Sequence, residues 1–203
     1  MSAFQVPIAT NRCATAIPTG RLAIWWVLAS EIVIFGGLVA CYLLFRFRHP
    51  EWAAEAEHTK LAAGAINTFV LLTSSLFVVL AHVAASNKDT VNARKYLIWT
   101  ILGGLIFLCV KAYEYTSEIS HGYTITRSVF WAFYYTATAL HGLHVIGGMT
   151  IMGLLLPDVA KGKNLQRVEY IGIYWHFVDV VWLFLFAAIY IWGSYGAAIP
   201  AGH

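Results

Sequence analysis

Five long apolar stretches alternate with short polar segments along this chain. The stretches cover residues 22–45, 62–85, 96–115, 129–156 and 170–192. The hydrocarbon core of a bilayer is about 30 Å thick, so a helix of about 20 apolar residues crosses it, and every stretch is that long. The pattern shows no alternation of strand period, and lipid requires the backbone hydrogen bonds to be satisfied within the protein. We therefore predict an all-α integral membrane protein with five transmembrane helices.

Proline and polar residues mark the expected ends of these segments. Pro50 and Pro157 lie just beyond the first and fourth stretches, where proline normally follows the end of a helix. We expect residues 1–21 to form an N-terminal arm, residues 22–193 to form the five-helix membrane domain, and residues 194–203 to form a C-terminal tail.

Composition supports the membrane assignment. Of the 203 residues, 60% are hydrophobic and 11% are charged, whereas a soluble domain carries about 25% charged residues. A formal net charge of +3 and the absence of a basic run argue against a nucleic-acid partner. The three cysteines are scattered and form no metal-binding or disulfide pattern.

The distribution of lysine and arginine predicts the orientation of the helices, because short cytoplasmic loops carry an excess of these residues. With five spans, the side of the N-terminus holds the larger set, namely Arg12, Arg21, Lys88, Arg94, Lys95, Lys161, Lys163 and Arg167. The opposite side holds Arg46, Arg48, Lys60 and Arg127, with Lys111 at a helix end. We therefore expect a cytoplasmic N-terminus and a C-terminus on the outside.

The fifth apolar stretch carries a histidine and an aspartate near its middle. Residues three or four apart are neighbours on a helix, so four positions share one face: Glu169, Gly172, His176 and Asp179. Ionisable groups are costly in hydrocarbon, and we expect this face to contact protein, with Asp179 supporting His176. The opposite face is apolar and is predicted to meet lipid, for example at Leu185.

Glu31 lies near the middle of the first stretch, about 14 Å of helical rise beyond its start. A charged group at this depth costs about 3 kcal/mol on insertion scales, and burial favours the neutral acid. Two interpretations remain open. Glu31 is either a proton-handling or gating carboxyl, or an interhelical hydrogen-bond donor that fixes packing.

Three histidines fall near the centre of the predicted membrane domain. His141 and His144 are three residues apart and are expected to point to the same side of the fourth helix, and His176 lies in the fifth helix. Imidazoles at this depth are candidate ligands for haem or copper. They are also candidates for hydrogen bonds between helices, and the spacing alone specifies neither arrangement.

Small and hydroxyl side chains on one stripe are typical of contacts between membrane helices. We expect such contacts at Asn67, Ser74 and Ser75 in the second helix, at Gly36 in the first, and at Gly147 and Gly148 in the fourth.

Lys111 and Glu114 lie three residues apart near the end of the third helix. They are expected to form an ion pair or to extend together towards the membrane surface. Tyr190, like other aromatic residues near span ends, is expected to anchor its helix at the interface.

Five motifs in sequence order resemble subunit III of haem–copper terminal oxidases. The run Y-W-H-F-V-D-V-V-W-L-F-L-F, which begins at Tyr174, is similar to the last helix of that family. The run T-A-L-H-G-L-H-V resembles the family's T-G-x-H-G-L-H-V, with Ala139 in place of the usual glycine. The shorter matches are S-E at 30–31, N-T-x-x-L-L-x-S-S at 67–75 and E-Y at 114–115. The resemblance covers residues 22–193 and fits the five-helix form of a family that also has seven-helix members.

The resemblance implies an accessory subunit with no haem or copper of its own. Such a subunit packs on subunit I, which holds the haems and copper that reduce oxygen to water while pumping protons, in a complex that also contains subunit II. It implies a bacterial plasma membrane location, a role in stabilising subunit I, and support for proton uptake and oxygen access. It also allows bound phospholipid, although the lipid-holding cleft of the seven-helix form requires two helices that this chain lacks.

The resemblance assigns six residues to a buried polar network and gives none of them a catalytic or metal-binding role: Glu31, Glu114, His141, His144, His176 and Asp179. Close alternatives are subunit III of a quinol oxidase and the related protein associated with nitric oxide reductases. An independent membrane cytochrome that uses the three histidines belongs to a different class. A secondary transporter is disfavoured, because no internal repeat is visible.

Overall fold

The computed structural model describes residues 19–192 and contains the five predicted membrane-spanning helices. The helices are α1 (Thr19–Arg48), α2 (Trp52–Ala56), α3 (Leu61–Ser86), α4 (Thr90–Ser120), α5 (Val129–Ala160) and α6 (Gln166–Leu185), which a π-helical segment (Phe186–Ile191) continues. Within this part of the chain there is no strand. The all-α prediction is therefore confirmed, although α2 and the π-helical segment were not predicted.

The predicted arm and tail lie almost entirely outside the described residues. Residues 19–21 are the exception, because α1 begins at Thr19 and includes them. The long helices also extend beyond their apolar stretches. For example, α4 begins at Thr90 because Asp89 caps it, and its carboxylate accepts a hydrogen bond from the backbone N–H of Asn92 at 3.1 Å. This hydrogen bond holds the pKa of Asp89 below its usual range.

The prediction that α5 ends before Pro157 is wrong, because the helix continues to Ala160. Proline removes only one backbone donor, and the helix closes beyond it, where the Lys161 N–H donates to the Pro157 carbonyl at 3.3 Å. The chain then turns at Gly162, whose φ of +67° is typical of the residue that follows a helix end. Pro50 does follow the end of α1, as predicted.

Two buried tryptophans of α6, Trp175 and Trp182, lie in the centre of the bundle, and glycine allows neighbouring helices to approach Trp175 closely. A β-carbon on Gly148 of α5 would lie 2.9 Å from the Trp175 ring, and one on Gly104 of α4 would lie equally close to it. Replacing either glycine would therefore displace the ring or the helix. Gly148 therefore lies where α5 and α6 approach each other closely.

The first helix lies at the edge of the bundle, where it contacts α6 and, to a smaller extent, α5. Gly36 is exposed, and a β-carbon there would meet nothing within 4 Å among residues 19–192. The expected close contact at Gly36 is therefore wrong for this chain by itself. The reason is that α1 turns Phe35, and not Gly36, towards the other helices.

The π-helical segment changes the direction in which the end of α6 presents its side chains. Three consecutive residues, Ala188, Ile189 and Tyr190, are buried there, which a regular amphipathic α-helix does not achieve. Single-turn π-helical insertions are rare and often occur at functional sites. Here the segment places the Tyr190 hydroxyl inside the bundle, so the prediction that Tyr190 is an interfacial anchor is wrong.

Candidate functional site: buried polar clusters

The predicted pair of Lys111 and Glu114 lies at the centre of a buried cluster. The Lys111 ammonium donates to Glu114 Oε2 at 2.9 Å, to the Tyr190 hydroxyl at 2.8 Å and to the Tyr134 hydroxyl at 3.2 Å. The Tyr190 hydroxyl in turn donates to Glu114 Oε1 at 2.8 Å. The ion-pair prediction is confirmed, and the alternative in which both side chains extend to the membrane surface is wrong.

Aromatic rings enclose the Lys111 ammonium on several sides. Its nitrogen lies between 4.9 and 5.5 Å from the ring centres of Tyr115, Tyr134, Trp182 and Tyr190, a distance at which the ring face attracts a cation. Lys111 is 5% exposed and Glu114 is fully buried. All three hydrogen-bond donors of the ammonium are used, so the cluster is a satisfied, neutral ion pair in the interior.

A second cluster joins α1 to α5 through Glu31 and His144. His144 Nε2 lies 2.9 Å from Glu31 Oε2, and both side chains are mostly buried. His144 Nδ1 lies 2.8 Å from the Leu140 carbonyl oxygen, which can only accept, so Nδ1 carries a hydrogen. Glu31 Oε2 has no hydrogen-bond partner of suitable geometry among residues 19–192, so the two side chains are close to each other without a well-formed hydrogen bond.

His141 lies in the core of the bundle. Unlike His144, it does not point towards Glu31. Its ring packs between Phe107 and Trp182, with ring centres 5.3 and 5.2 Å away. Neither ring nitrogen has a hydrogen-bond partner among residues 19–192. The expectation that both histidines of α5 face the same side is therefore wrong, because the separation of about 60° between residues three apart is enough for one ring to enter the core while the other meets α1.

The polar residues of α6 do not form the single buried face that was predicted. His176 lies at the bundle surface, where its Nδ1 is 2.5 Å from Ser75 Oγ. Asp179 is buried beside Ser75, but neither carboxylate oxygen has a hydrogen-bond partner within the described part of the chain. We expected Asp179 to support His176, and that expectation is wrong. Glu169 is half-buried and pairs with Arg21 of α1.

The buried face of α6 follows its two tryptophans, and this shifts the predicted lipid face. Leu185 is only 1% exposed, so its assignment to the lipid-facing side is wrong. The indole N–H of Trp175 donates to Ser74 Oγ at 3.0 Å, and that of Trp182 donates to Thr68 Oγ1 at 3.0 Å. These hydrogen bonds fasten α6 to α3.

The predicted packing residues of α3 are buried, although they behave differently from one another. Ser74 and Ser75 bond to α6 as described above, whereas both polar atoms of Asn67 lack a partner among residues 19–192. In α5, Gly147 is only half-buried, and its nearest neighbour, the Tyr174 hydroxyl, would lie 3.9 Å from a β-carbon there. Gly147 therefore contributes less to close packing than Gly148.

The three central histidines do not converge. His141 faces the core, His144 faces α1, and His176 is at the surface. In residues 19–192, no group of three histidine, cysteine, aspartate or glutamate side chains is arranged to hold a metal ion. The six predicted network residues thus do not form one network in the described part of the chain. Glu114, His176 and the Glu31–His144 pair lie in separate places, and His141 and Asp179 have no hydrogen-bond partner among residues 19–192.

Comparison with known proteins places this arrangement in a family. The family model described as "Cytochrome c oxidase subunit III" matches residues 55–194. This chain belongs to the cytochrome c oxidase subunit III family. Of the site residues above, Glu31 and Gly36 precede the matched range, whereas the Lys111 cluster, the three central histidines and Asp179 lie within it.

Individual members of the subunit III family cover most of the chain. The cytochrome c oxidase subunit 3 of Thermostichus vulcanus is 39% identical over 169 residues, which is 81% of this chain and 83% of the relative. That of Corynebacterium diphtheriae is 34% identical and covers 94% of both chains. That of Bacillus sp. (strain PS3) is 32% identical and covers 97% of both chains.

Sequence reasoning missed several members of the clusters. Tyr134 and Tyr190 complete the bonding of Lys111, Thr68 receives the Trp182 indole N–H, and Glu118 is buried one turn beyond Glu114. The signal for Glu118 was present, because Lys111, Glu114 and Glu118 are spaced to share one helical face. The tyrosines carried no such signal, because tyrosine near the end of a span normally indicates an interface.

Proposed function

We propose that this chain is a non-redox accessory subunit of a proton-pumping terminal oxidase in a bacterial plasma membrane. In this role it packs on the catalytic subunit I, which carries the haems and copper, and takes part in the reduction of oxygen to water only as a member of the complex. The observation that carries the proposal is the match to subunits named cytochrome c oxidase subunit 3 along up to 97% of both chains. The charge distribution further supports a cytoplasmic N-terminus.

The contacts within the bundle favour a supporting role. The Lys111 cluster joins α4 to Tyr134 of α5 and to Tyr190 of the π-helical segment. The Glu31–His144 pair joins α1 to α5, and the two tryptophan hydrogen bonds join α6 to α3. Such interhelical polar contacts stabilise membrane bundles. We therefore assign the buried polar residues to structural and proton-buffering roles.

The Glu31–His144 pair is our candidate for the proton-handling function. It lies near the middle of α1, and its two side chains are mostly buried, with His144 Nε2 2.9 Å from Glu31 Oε2. An imidazole next to a carboxyl can pass a proton with little movement of heavy atoms, which suits support of proton uptake by subunit I. The structural alternative, in which the pair only fixes α1 on α5, predicts that Glu31→Gln leaves the pH dependence of proton uptake unchanged.

An apolar groove supports a role in oxygen access. It lies between α1 and α6, has a volume of about 510 Å³ and is lined by Phe35, Gly36, Leu43, Phe177 and Phe184, among others. Oxygen is apolar and partitions into such surroundings, so the groove would raise its concentration next to a subunit that packs there.

The decisive experiment is gentle purification of the complex through a tag on this chain, followed by mass spectrometry. We expect subunits I and II of a cytochrome c oxidase. A quinol oxidase or a nitric oxide reductase in their place would establish one of the close alternatives. A haem absorption band in the chain purified alone would overturn the proposal in favour of an independent cytochrome.

Deletion of the chain tests the accessory role directly. Initial oxygen reduction should remain close to that of the complete complex, whereas the number of turnovers before inactivation should fall. Restoring the wild-type gene is the control. Immediate loss of turnover, with haems and copper still bound to subunit I, would contradict an accessory role.

A further inference from the structure

Glu118 lies near the end of α4, on the same face as the Lys111–Glu114 pair. It follows Glu114 by one turn and precedes the last residue of the helix, Ser120, by two positions. Its side chain is only 3% exposed. Its Oε1 atom is buried and has no hydrogen-bond partner among residues 19–192. Glu118 is therefore a buried carboxyl whose charge state the rest of the cluster must determine.

The neighbouring ion pair leaves no positive charge for Glu118. Both oxygens of Glu114 are occupied, Oε2 by Lys111 and Oε1 by Tyr190. The ammonium of Lys111 uses its three donors on Glu114, Tyr134 and Tyr190. Lys111 and Glu114 neutralise each other, and an ionised Glu118 would give the cluster a net negative charge.

The other two basic groups that face Glu118, Lys60 and His121, are bound to Ser117 instead. The Lys60 ammonium donates to Ser117 Oγ at 2.5 Å and lies 4.9 Å from the centre of the Tyr113 ring. His121 Nδ1 is 2.7 Å from the Ser117 carbonyl oxygen, which it can only approach as a donor. In the described part of the chain, no lysine or arginine nitrogen comes within 4.0 Å of Glu118. Residues 193–203 contain neither lysine nor arginine.

The titratable and charged groups that face Glu118 come from its own helix and from the elements around it: Lys111, Glu114, His121, Lys60 and Tyr135. None of them pairs with the carboxyl. An ionised carboxylate buried without a partner is strongly disfavoured, whereas a neutral acid in the same place loses little.

We propose that Glu118 is a proton-binding site, occupied at neutral pH, that exchanges its proton with the side of the membrane on which α4 ends. The exposed 3% of its surface, two residues before the end of the helix, provides the route for exchange. The carboxylic acid gives its proton to hydroxide, which becomes water, and the carboxylate takes a proton from hydronium, which also becomes water. No other reactant is needed. The proposal rests only on contacts within this chain and holds whichever oxidase contains it.

Infrared difference spectroscopy of the intact complex tests the proposal. At neutral pH the wild-type complex should show a C=O stretch of a protonated carboxylic acid that Glu118→Gln lacks. This stretch should shift in D2O and disappear as the pH is raised. The exposed Glu57→Gln variant is the matched control and should retain the band. Identical spectra for wild type and Glu118→Gln at neutral pH would overturn the proposal.

A pair of variants in the same helix provides a second test. Glutamine resembles a neutral carboxylic acid, so Glu118→Gln should be recovered in the complex within about twofold of wild type. Glu114→Gln removes the counter-charge of a buried ammonium and should lower recovery by about tenfold or more. If Glu118→Gln fell as far as Glu114→Gln, Glu118 would be an ionised partner of some cation, including one from another subunit, and the proposal would be wrong.

Discussion

Replacing Lys111 with methionine should destabilise the bundle strongly, because the fully buried Glu114 carboxyl loses its counter-charge and keeps only the Tyr190 hydroxyl as a hydrogen-bond partner among residues 19–192. Removing one partner of a buried ion pair costs about 3–5 kcal/mol. This corresponds to roughly two to four powers of ten in the unfolding equilibrium. An exposed ion pair, by contrast, contributes about 1 kcal/mol or less. The pair of Arg21 and Glu169, with side chains 48% and 26% exposed, supplies that comparison in the same chain.

The assay is the free energy of unfolding in mixed detergent micelles, measured for the two single variants of Lys111 and Glu114 and for the double variant. Lys111→Met and Glu114→Gln should each lose about 3–5 kcal/mol. The double variant should lose much less than their sum, because it buries no unpaired charge and the Tyr134 and Tyr190 hydroxyls remain 3.3 Å apart. Arg21→Met should lose about 1 kcal/mol or less. Additive losses in the double variant, or a single loss as small as that of Arg21→Met, would refute the description of a buried, mutually compensating pair.

Two pairs of adjacent residues yield matched predictions that the same assay checks. Gly148→Ala should cost about 1–3 kcal/mol because its β-carbon would lie 2.9 Å from the Trp175 ring, whereas Gly147→Ala should be close to neutral; equal effects would contradict the assigned packing. Ser74→Ala should cost about 1–3 kcal/mol because it leaves the buried Trp175 indole N–H without its acceptor. Ser75→Ala should lower the free energy of unfolding by less, since its partner, His176, lies at the bundle surface. A larger loss for Ser75→Ala than for Ser74→Ala would contradict this assignment.

Much of the candidate site was visible in the sequence as residue types at particular depths. Glu31, His144 and the pair of Lys111 and Glu114 stood out because ionisable groups are rare inside a membrane. The structure shows that these residues do have partners. The partners themselves were harder to predict, because Glu31 and His144 lie on helices that are far apart in the chain, and no local spacing specifies which helices become neighbours.

Other predictions failed where a helical face had to be assigned. His176 and Leu185 exchanged their expected environments, since Trp175 and Trp182 determine which side of α6 is buried. Large aromatic side chains have more surface to remove from lipid and more contacts to gain than a single polar group, so they decide the rotation of the helix. The positions of polar residues along a helix are therefore a weak guide to which face is buried when two tryptophans lie about 100° away from them around the helix axis.

The sequence by itself determined that this chain has five helices long and apolar enough to cross a membrane, because bilayer thickness and the need for internal backbone hydrogen bonds admit little else for apolar runs of this length. It also determined the family, through motifs whose order is preserved along the chain. Only the tertiary structure decided that Lys111 is enclosed by tyrosines, that no lysine or arginine among residues 19–192 pairs with Glu118, and that a π-helical turn brings Tyr190 inside. These features depend on helix rotation and neighbour choice, which arise from packing between segments distant in sequence and not from the hydrophobicity of any one of them.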